Sequence, residues 1–461
     1  MSARSSIDGS VLGDGFGGEV ITPDDPGYEE GRRVWNASID RRPALVARPR
    51  SVDDVRAAVR AGREHGLPIA VRGGGHSVAG HGTCDDGLVI DLSAMRGVEV
   101  DPERRRARVG PGAVWGDVDP VTQEHGLAVT GGLISSTGVA GFTLGGGIGW
   151  LQRAFGLACD NLVAAEVVTA SGDVVRTDDD PELLWGLRGG GGNFGVVTSF
   201  ELALHPVGPE VMAGMIVWPG ERAPEVARFF RDHLPDAPRE LTLGLVMRLA
   251  PPAPFLPPQA HGRPMVAIAG MHAGSVDDGE RAFAPVKALG SPLADLIAPR
   301  PYVEMQSMQD AAWEPGAQNY WKAEYLSGLP DAAIDVLAEH LATITSPISD
   351  FKMPYLLGAV ADVGEDDSAY GHRDAPLILN INARWQDPPE PEPHIAWTRG
   401  LWEAMQPHSA GGGYTNFMGA DEGDRVAEAY GSAKLSRLVE LKRRYDPDNI
   451  FRLNHNIDPG P

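Results

Sequence analysis

From about residue 51 the apolar and polar positions fall into a regular pattern. In SVDDVRAAVRAGREHG, Val52, Val55, Ala58 and Val59 share one face at helical spacing, behind Ser51 as an N-cap. Asp53 and Asp54 stand in the first turn and Gly66 marks the stop, so the stretch predicts an amphipathic helix. LPIAV then reads as a short buried strand that runs into the glycines of RGGGHSVAGH. About 60 residues later PGAVWGDVDPVTQEHGLAVTGG repeats the order helix, short strand, glycine loop. Two such units suggest two loops converging on one long ligand.

Between and beyond these units the period shortens to two. GLVIDLS and GVEVDPERRRARVG read as hairpin strands around an Asp-Pro turn, and AAEVVTASGDVVRT as a hairpin turning at Ser171-Gly172. GVVTSFELALHPV is a strand that closes the region near residue 207. Past Val207 the character changes. Residues 250–264 are proline-rich, and helical stretches near 276–289 and 331–344 alternate with strand-like runs such as PLILNINARW. The tail DRVAEAYGSAKLSRLVELKRRYDPDNIFRLNHNI predicts an amphipathic helix stopped by Asp-Pro, then a polar, asparagine-rich strand.

A chain of 461 residues exceeds one hydrophobic core, which points to more than one domain. The formal charge of −23 disfavours nucleic acid and anionic membrane as partners, and mildly favours neutral or cationic small molecules. No stretch is long and apolar enough to span a bilayer, and MSARSSIDGSVLGDGFGG lacks the apolar core of a signal peptide. Two cysteines, Cys84 and Cys159, make no disulfide framework. Together these predict a cytoplasmic location.

The glycine-rich stretches hold the candidate chemistry. A dinucleotide fingerprint needs its glycines between a strand and a helix, whereas RGGGGNFGVVTSF opens a strand. No Gly-Lys-Ser/Thr sequence supplies a P-loop lysine. His76, His81 and Cys84 are acceptable zinc ligands, but Asp85 or Asp86 would be an unusual fourth and the loop is rich in glycine; no metal is expected. A plain turn with a satisfied histidine stays open. So does a loop that brings backbone N–H groups against a flat or phosphorylated ligand, with a histidine able to bond to it.

RGGGHS, GVAGFTLGGGIGWLQRAFGLACDNL, LRGGGGNFGVVTSFEL and YDPDNIFRLNHNI stand in the order and spacing of one family. The chain resembles the berberine-bridge-enzyme-like flavoproteins, of the vanillyl-alcohol-oxidase (PCMH-type) FAD superfamily. The resemblance implies an α+β fold: a two-subdomain FAD-binding domain over 1–207, and an α+β substrate domain with an antiparallel sheet over 208–410. A C-terminal segment, 411–461, would return to complete the FAD site. It further implies FAD bound covalently through His76, with Arg72, Gly73, Gly74, Gly75 and Ser77 at the pyrophosphate and His81 lining the same loop. Gly138, Gly141 and Gly145 would line a second loop and Val197 would lie beside the adenine. Asn416, Asn454 and Asn456 would approach the isoalloxazine. Relatives that hold the ring twice use a cysteine where this chain has Ile134, so a second, cysteinyl link is not expected and the chain is similar to the hydroxynicotine-oxidase-like branch.

The implied reaction takes hydride from a C–OH or C–N bond of a small organic molecule, such as a sugar, an alkaloid-like amine or a secondary metabolite. A base takes the proton, and O2 accepts the electrons as H2O2. Tyr414, in GGGYTNF, is the first candidate base and Tyr355 the second, with Lys322 behind them. PLILNINARW would present Ile378, Asn380 and Asn382 on one face, where Asn380 binds substrate better than it takes a proton. Thr137 lies near the place where relatives gate oxygen. The alternatives are a dehydrogenase of the same fold with another acceptor, and a flavin-binding protein without catalysis.

Overall fold

The computed structural model describes residues 9–386 and 390–460. The first eight residues of the segment read as lacking a signal peptide lie outside the described ones. The predicted first helix forms over Val52–Glu64. Ser51 accepts the Asp54 N–H and the Asp54 carboxylate returns to the Ser51 N–H, closing a capping box. Gly66 follows with φ +62. The helix buries Val55, Ala58 and Val59 against a four-stranded mixed sheet in the spatial order Glu19–Ile21, Leu45–Arg48, Leu88–Asp91, Ile69–Arg72. GLVIDLS is therefore no hairpin strand. It pairs in parallel with both neighbours: helix Val52–Glu64 lies between it and Leu45–Arg48, and the long glycine loop of residues 73–87 carries the chain back from Ile69–Arg72.

A second, five-stranded antiparallel sheet runs Val98–Asp101, Arg106–Val109, Val196–Ala203, Leu162–Val168, Val174–Arg176. The Asp-Pro and Ser171-Gly172 hairpins form as read. Both helix–strand–glycine units are present, the second as Trp115–Gln123 followed by Leu127–Ala128.

The middle of the chain builds an eight-stranded antiparallel sheet whose centre is ordered Glu210–Pro219, Pro264–His272, Leu241–Leu249, Asp350–Pro354, Leu377–Trp385, Gln318–Leu326. Alternate residues such as Leu243, Leu245, Ile268, Phe351, Leu379 and Ile381 are buried under helices on one face. Those helices include Val276–Ala288 and Asp331–Leu341, near the predicted spans. Ala223–His233 and Glu392–Met405 are two more that the periodicity reading did not resolve. The opposite face of the sheet looks toward the first two sheets.

The tail departs from expectation. Gly431, at φ +74, splits the helix into Val426–Tyr430 and Ser432–Tyr445. Residues 450–460 form no strand. Their polar groups bond side chains instead: Asn193 takes the Ile457 N–H on Oδ1 (3.0 Å) and donates to the His455 carbonyl (3.2 Å). Leu438, Leu441, Tyr445 and Ile457 join the core of the five-stranded sheet, so the C-terminus returns to the N-terminal half. The fold is α+β throughout.

Candidate active site

A cavity of about 900 Å³ lies between the glycine loops and the free face of the eight-stranded sheet. Its first wall is backbone. A Cβ on Gly74 would stand 2.4 Å from the Gly138 nitrogen, and one on Gly138 would stand 2.3 Å from the Gly74 nitrogen. The two loops therefore abut main chain to main chain, which only glycine permits. Gly145 is pressed in the same way against Asn416, whose Oδ1 would lie 2.2 Å from an added Cβ. Gly75 turns the chain at φ +71 and delivers His76 to the cavity.

His76 is held on two sides. Its ring stacks on Trp35 at 5.1 Å and 17°, and Nε2 lies 3.0 Å from Ser136 Oγ in the second loop. Burial pushes its pKa down to about 4, partly offset by Asp310, so the imidazole is neutral at physiological pH. Trp35 is fixed by its indole N–H to the Trp313 carbonyl, 2.9 Å.

Gly73, Ser77, His81, Gly141, Val197, Asn454 and Asn380 line the cavity with His76, as do Ile134 and Thr137. Arg72 reaches it too, yet its guanidinium turns away, pairing with Asp91 at 2.9 Å and with the carbonyls of Gly31 and Arg33. His81 meets His455 edge-on at 4.8 Å, and burial keeps both rings neutral. Asn456 sits behind the wall, where its Oδ1 is buried without a donor, as is that of Asn454.

Three candidate bases lie elsewhere. Tyr414 is buried behind the Gly145–Gly147 turn. Its hydroxyl oxygen accepts the Gly147 N–H (2.7 Å) and an Asn416 Nδ2–H (2.9 Å), and burial pushes its pKa up. The tight glycine turn pulls the phenol into the backbone rather than toward a substrate. Tyr355 is also buried off the cavity, under the Arg153 guanidinium at 4.6 Å. Proline at 354 takes the cavity-facing position of that strand, so period two turns Tyr355 away. Lys322 pairs with Asp421 and Glu422 at 3.3 and 3.4 Å, outside the cavity.

The residues that do face it include Lys352 and Arg384 from the sheet and Trp313 from the turn ahead of strand Gln318–Leu326, none of which the sequence singles out. Arg384 was within reach, being the next position on the face that carries Ile378, Asn380 and Asn382. Lys352, in DFKMPY, is the lone cation of an apolar strand. Asn193 and Trp35 had no comparable signal. Neither free cysteine lines the cavity. Cys159 packs with Tyr325, Leu356 and Tyr414, and Cys84 with the first sheet.

Residues 43–178 match the FAD binding domain model and residues 413–458 the model of berberine and berberine-like proteins. The chain is 35% identical over 454 residues to (R)-6-hydroxynicotine oxidase of Paenarthrobacter nicotinovorans, covering 96% of this chain and 97% of that one. The chain belongs to the berberine-bridge-enzyme-like FAD-linked oxidoreductases. The crystal structure of 6-hydroxy-D-nicotine oxidase from Arthrobacter nicotinovorans superposes with a TM-score of 0.86 at 31% identity, covering 96% and 98% of the two chains. Xylooligosaccharide oxidase from Myceliophthora thermophila shares the fold, with a TM-score of 0.84 at 24% identity over 96% and 98%. The residues of this berberine-bridge-type chain fit FAD. Two glycine loops that a single Cβ would close, and the unpaired Asn454 oxygen at the C-terminal segment, suit a long ligand with a phosphate middle and a polar ring. Among the described residues no helix is long and apolar enough to cross a membrane.

Proposed function

We propose that this protein is an oxidase that holds FAD by a single covalent bond to His76 and oxidises a C–OH or C–N bond of a small organic molecule. The observation that carries the reading is His76 itself: a neutral imidazole at the junction of both glycine loops, stacked on Trp35. A neutral ring has a lone pair for bond formation. With Nε2 engaged by Ser136, Nδ1 is the nitrogen left for the flavin. When bound, FAD accepts the hydride that leaves the substrate carbon.

The protein's own groups bind and orient. Ile134, at the position where doubly linked relatives carry a cysteine, offers no second attachment, and Cys159 is buried elsewhere. Asn380 lines the cavity with its Oδ1 lacking a donor, so it is placed to accept a substrate O–H or N–H. Gly73–Gly75, Ser77, Gly138, Gly141 and Gly145 supply the phosphate cradle, and Val197, Asn416 and Asn454 its flanks. With Tyr414 and Tyr355 both turned away, an amine substrate would enter as its neutral form and need no phenolate. With O2 as terminal acceptor, each oxidised substrate yields one H2O2.

The test is a substrate screen in air and without it. A true substrate bleaches the flavin's visible band anaerobically and gives stoichiometric peroxide in air. Bleaching without peroxide would make the protein a dehydrogenase that uses another acceptor. A flavin that no candidate substrate bleaches would contradict oxidation.

A further inference from the structure

The charges on the sheet side of the cavity do not balance. Asp350, Lys352 and Arg384 lie on the adjacent strands Asp350–Pro354 and Leu377–Trp385, with all three side chains at the cavity. Lys352 Nζ sits 3.9 Å and Arg384 Cζ 4.1 Å from the centre of the Trp313 indole, so both cations pack on one ring. Asp350 is the carboxylate between them. It lies 3.8 Å from Lys352 and is already engaged by Asn382 Nδ2 at 2.7 Å. Arg384 forms no ion pair among the described residues. Its Nη1 donates to the Ala312 carbonyl (2.7 Å), while Nε, in a side chain 3% exposed, is buried without an acceptor. Arg248 lines the cavity as a third cation, and Glu314, which is exposed, is the other acidic residue among the lining ones. Burial pushes Lys352 and Arg384 below their ordinary pKa values, Arg248 adds to the push on both and Arg384 to that on Lys352, and the single carboxylate of Asp350 opposes it.

We propose that the substrate is an organic anion, a carboxylate on a flat apolar or aromatic body, received by Lys352 and Arg384 beside Trp313. This rests on the reading of the cavity as the flavin's substrate site. The carboxylate takes the free edge of the Arg384 guanidinium and the Lys352 ammonium. The body lies along Trp313, Trp35 and Trp321, whose rings meet one another at 5.7–6.1 Å. Local charge thus overrules the bulk acidity of the surface, which alone favours neutral or cationic molecules.

The experiment titrates the flavin-loaded enzyme with matched acids and amides (benzoate and benzamide, phenylacetate and phenylacetamide, mandelate and mandelamide), reading perturbation of the flavin spectrum. The acids should bind at least about tenfold tighter than their amides, as a charge-assisted pair requires. Arg384→Gln and Lys352→Met should each erase most of that preference, and Lys352→Arg should keep it. Equal or tighter binding of the amides, no acid binding at all, or an undiminished preference in both neutralised variants would overturn the proposal while leaving the flavin reading intact. Wild-type protein that carries no flavin would take both down.

Discussion

Gly74 and Gly138 face each other so closely that neither tolerates a side chain, and Gly74→Ala must push one glycine loop off the other. That shift should cost about 1–3 kcal/mol of stability and deplete bound flavin, seen as a lowered ratio of visible to ultraviolet absorbance. Tyr414 makes the opposite case: a residue whose type suggests chemistry and whose position assigns it to structure. Its oxygen accepts the Gly147 N–H and an amide hydrogen of Asn416. Tyr414→Phe should therefore leave a buried N–H unpaired and lower stability by about 1–3 kcal/mol. Its kcat should change by less than about tenfold, against the 10²–10⁴ that loss of a general base costs. A rate loss in the larger range, at preserved stability, would restore Tyr414 to catalysis.

Among elements, the C-terminal helix Ser432–Tyr445 carries the tail into the site through one buried cation. The Lys442 ammonium pairs with Asp446 at 2.6 Å and donates to the carbonyls of Asn193 (2.9 Å) and Phe451 (3.0 Å). Lys442→Met would strand the Asp446 carboxylate in a fully buried position, and should lower stability by about 3–5 kcal/mol in urea unfolding. This tie explains what was legible in the sequence and what was not. Helix Val52–Glu64, the Ser171-Gly172 hairpin and the glycine loops follow from local signals: a cap, a period, a turn residue. Leu88–Asp91 was misread because period two fixes which residues share a face, not whether the partner strand runs parallel. The asparagine-rich tail reads as a strand because alternation registers polar residues without showing that the partners are Asn193, 264 residues before Ile457, and Lys442, nine residues before Phe451. Cavity-facing residues of the middle sheet were half legible. Of the face Ile378, Asn380 and Asn382 only Asn380 lines the cavity, the next position is Arg384, and Pro354 sets the strand phase that turns Tyr355 away.

Across the whole molecule, buried contacts tie the half that carries the glycine loops to the middle of the chain. One of these is Asp119, on Trp115–Gln123, which accepts a hydrogen bond from Gln306 at 3.2 Å. Complete burial raises its pKa from 3.8 to about 7. The folded state thus prefers the acid, and the stability Asp119 contributes is lost as pH rises from about 4 through about 7. Asp119→Asn keeps an amide toward Gln306 without the charge. Its stability relative to wild type should grow over that window by about 4 kcal/mol, at 1.36 kcal/mol per pKa unit. A difference that does not vary with pH would show Asp119 ionised as in water. The central claim concerns His76, and acid precipitation followed by a denaturing gel tests it most directly. Wild-type protein should keep its yellow colour and fluoresce on the gel, and His76→Ala should release the flavin to the supernatant. Colour lost from the wild type, or a yellow His76→Ala pellet, would contradict attachment at His76.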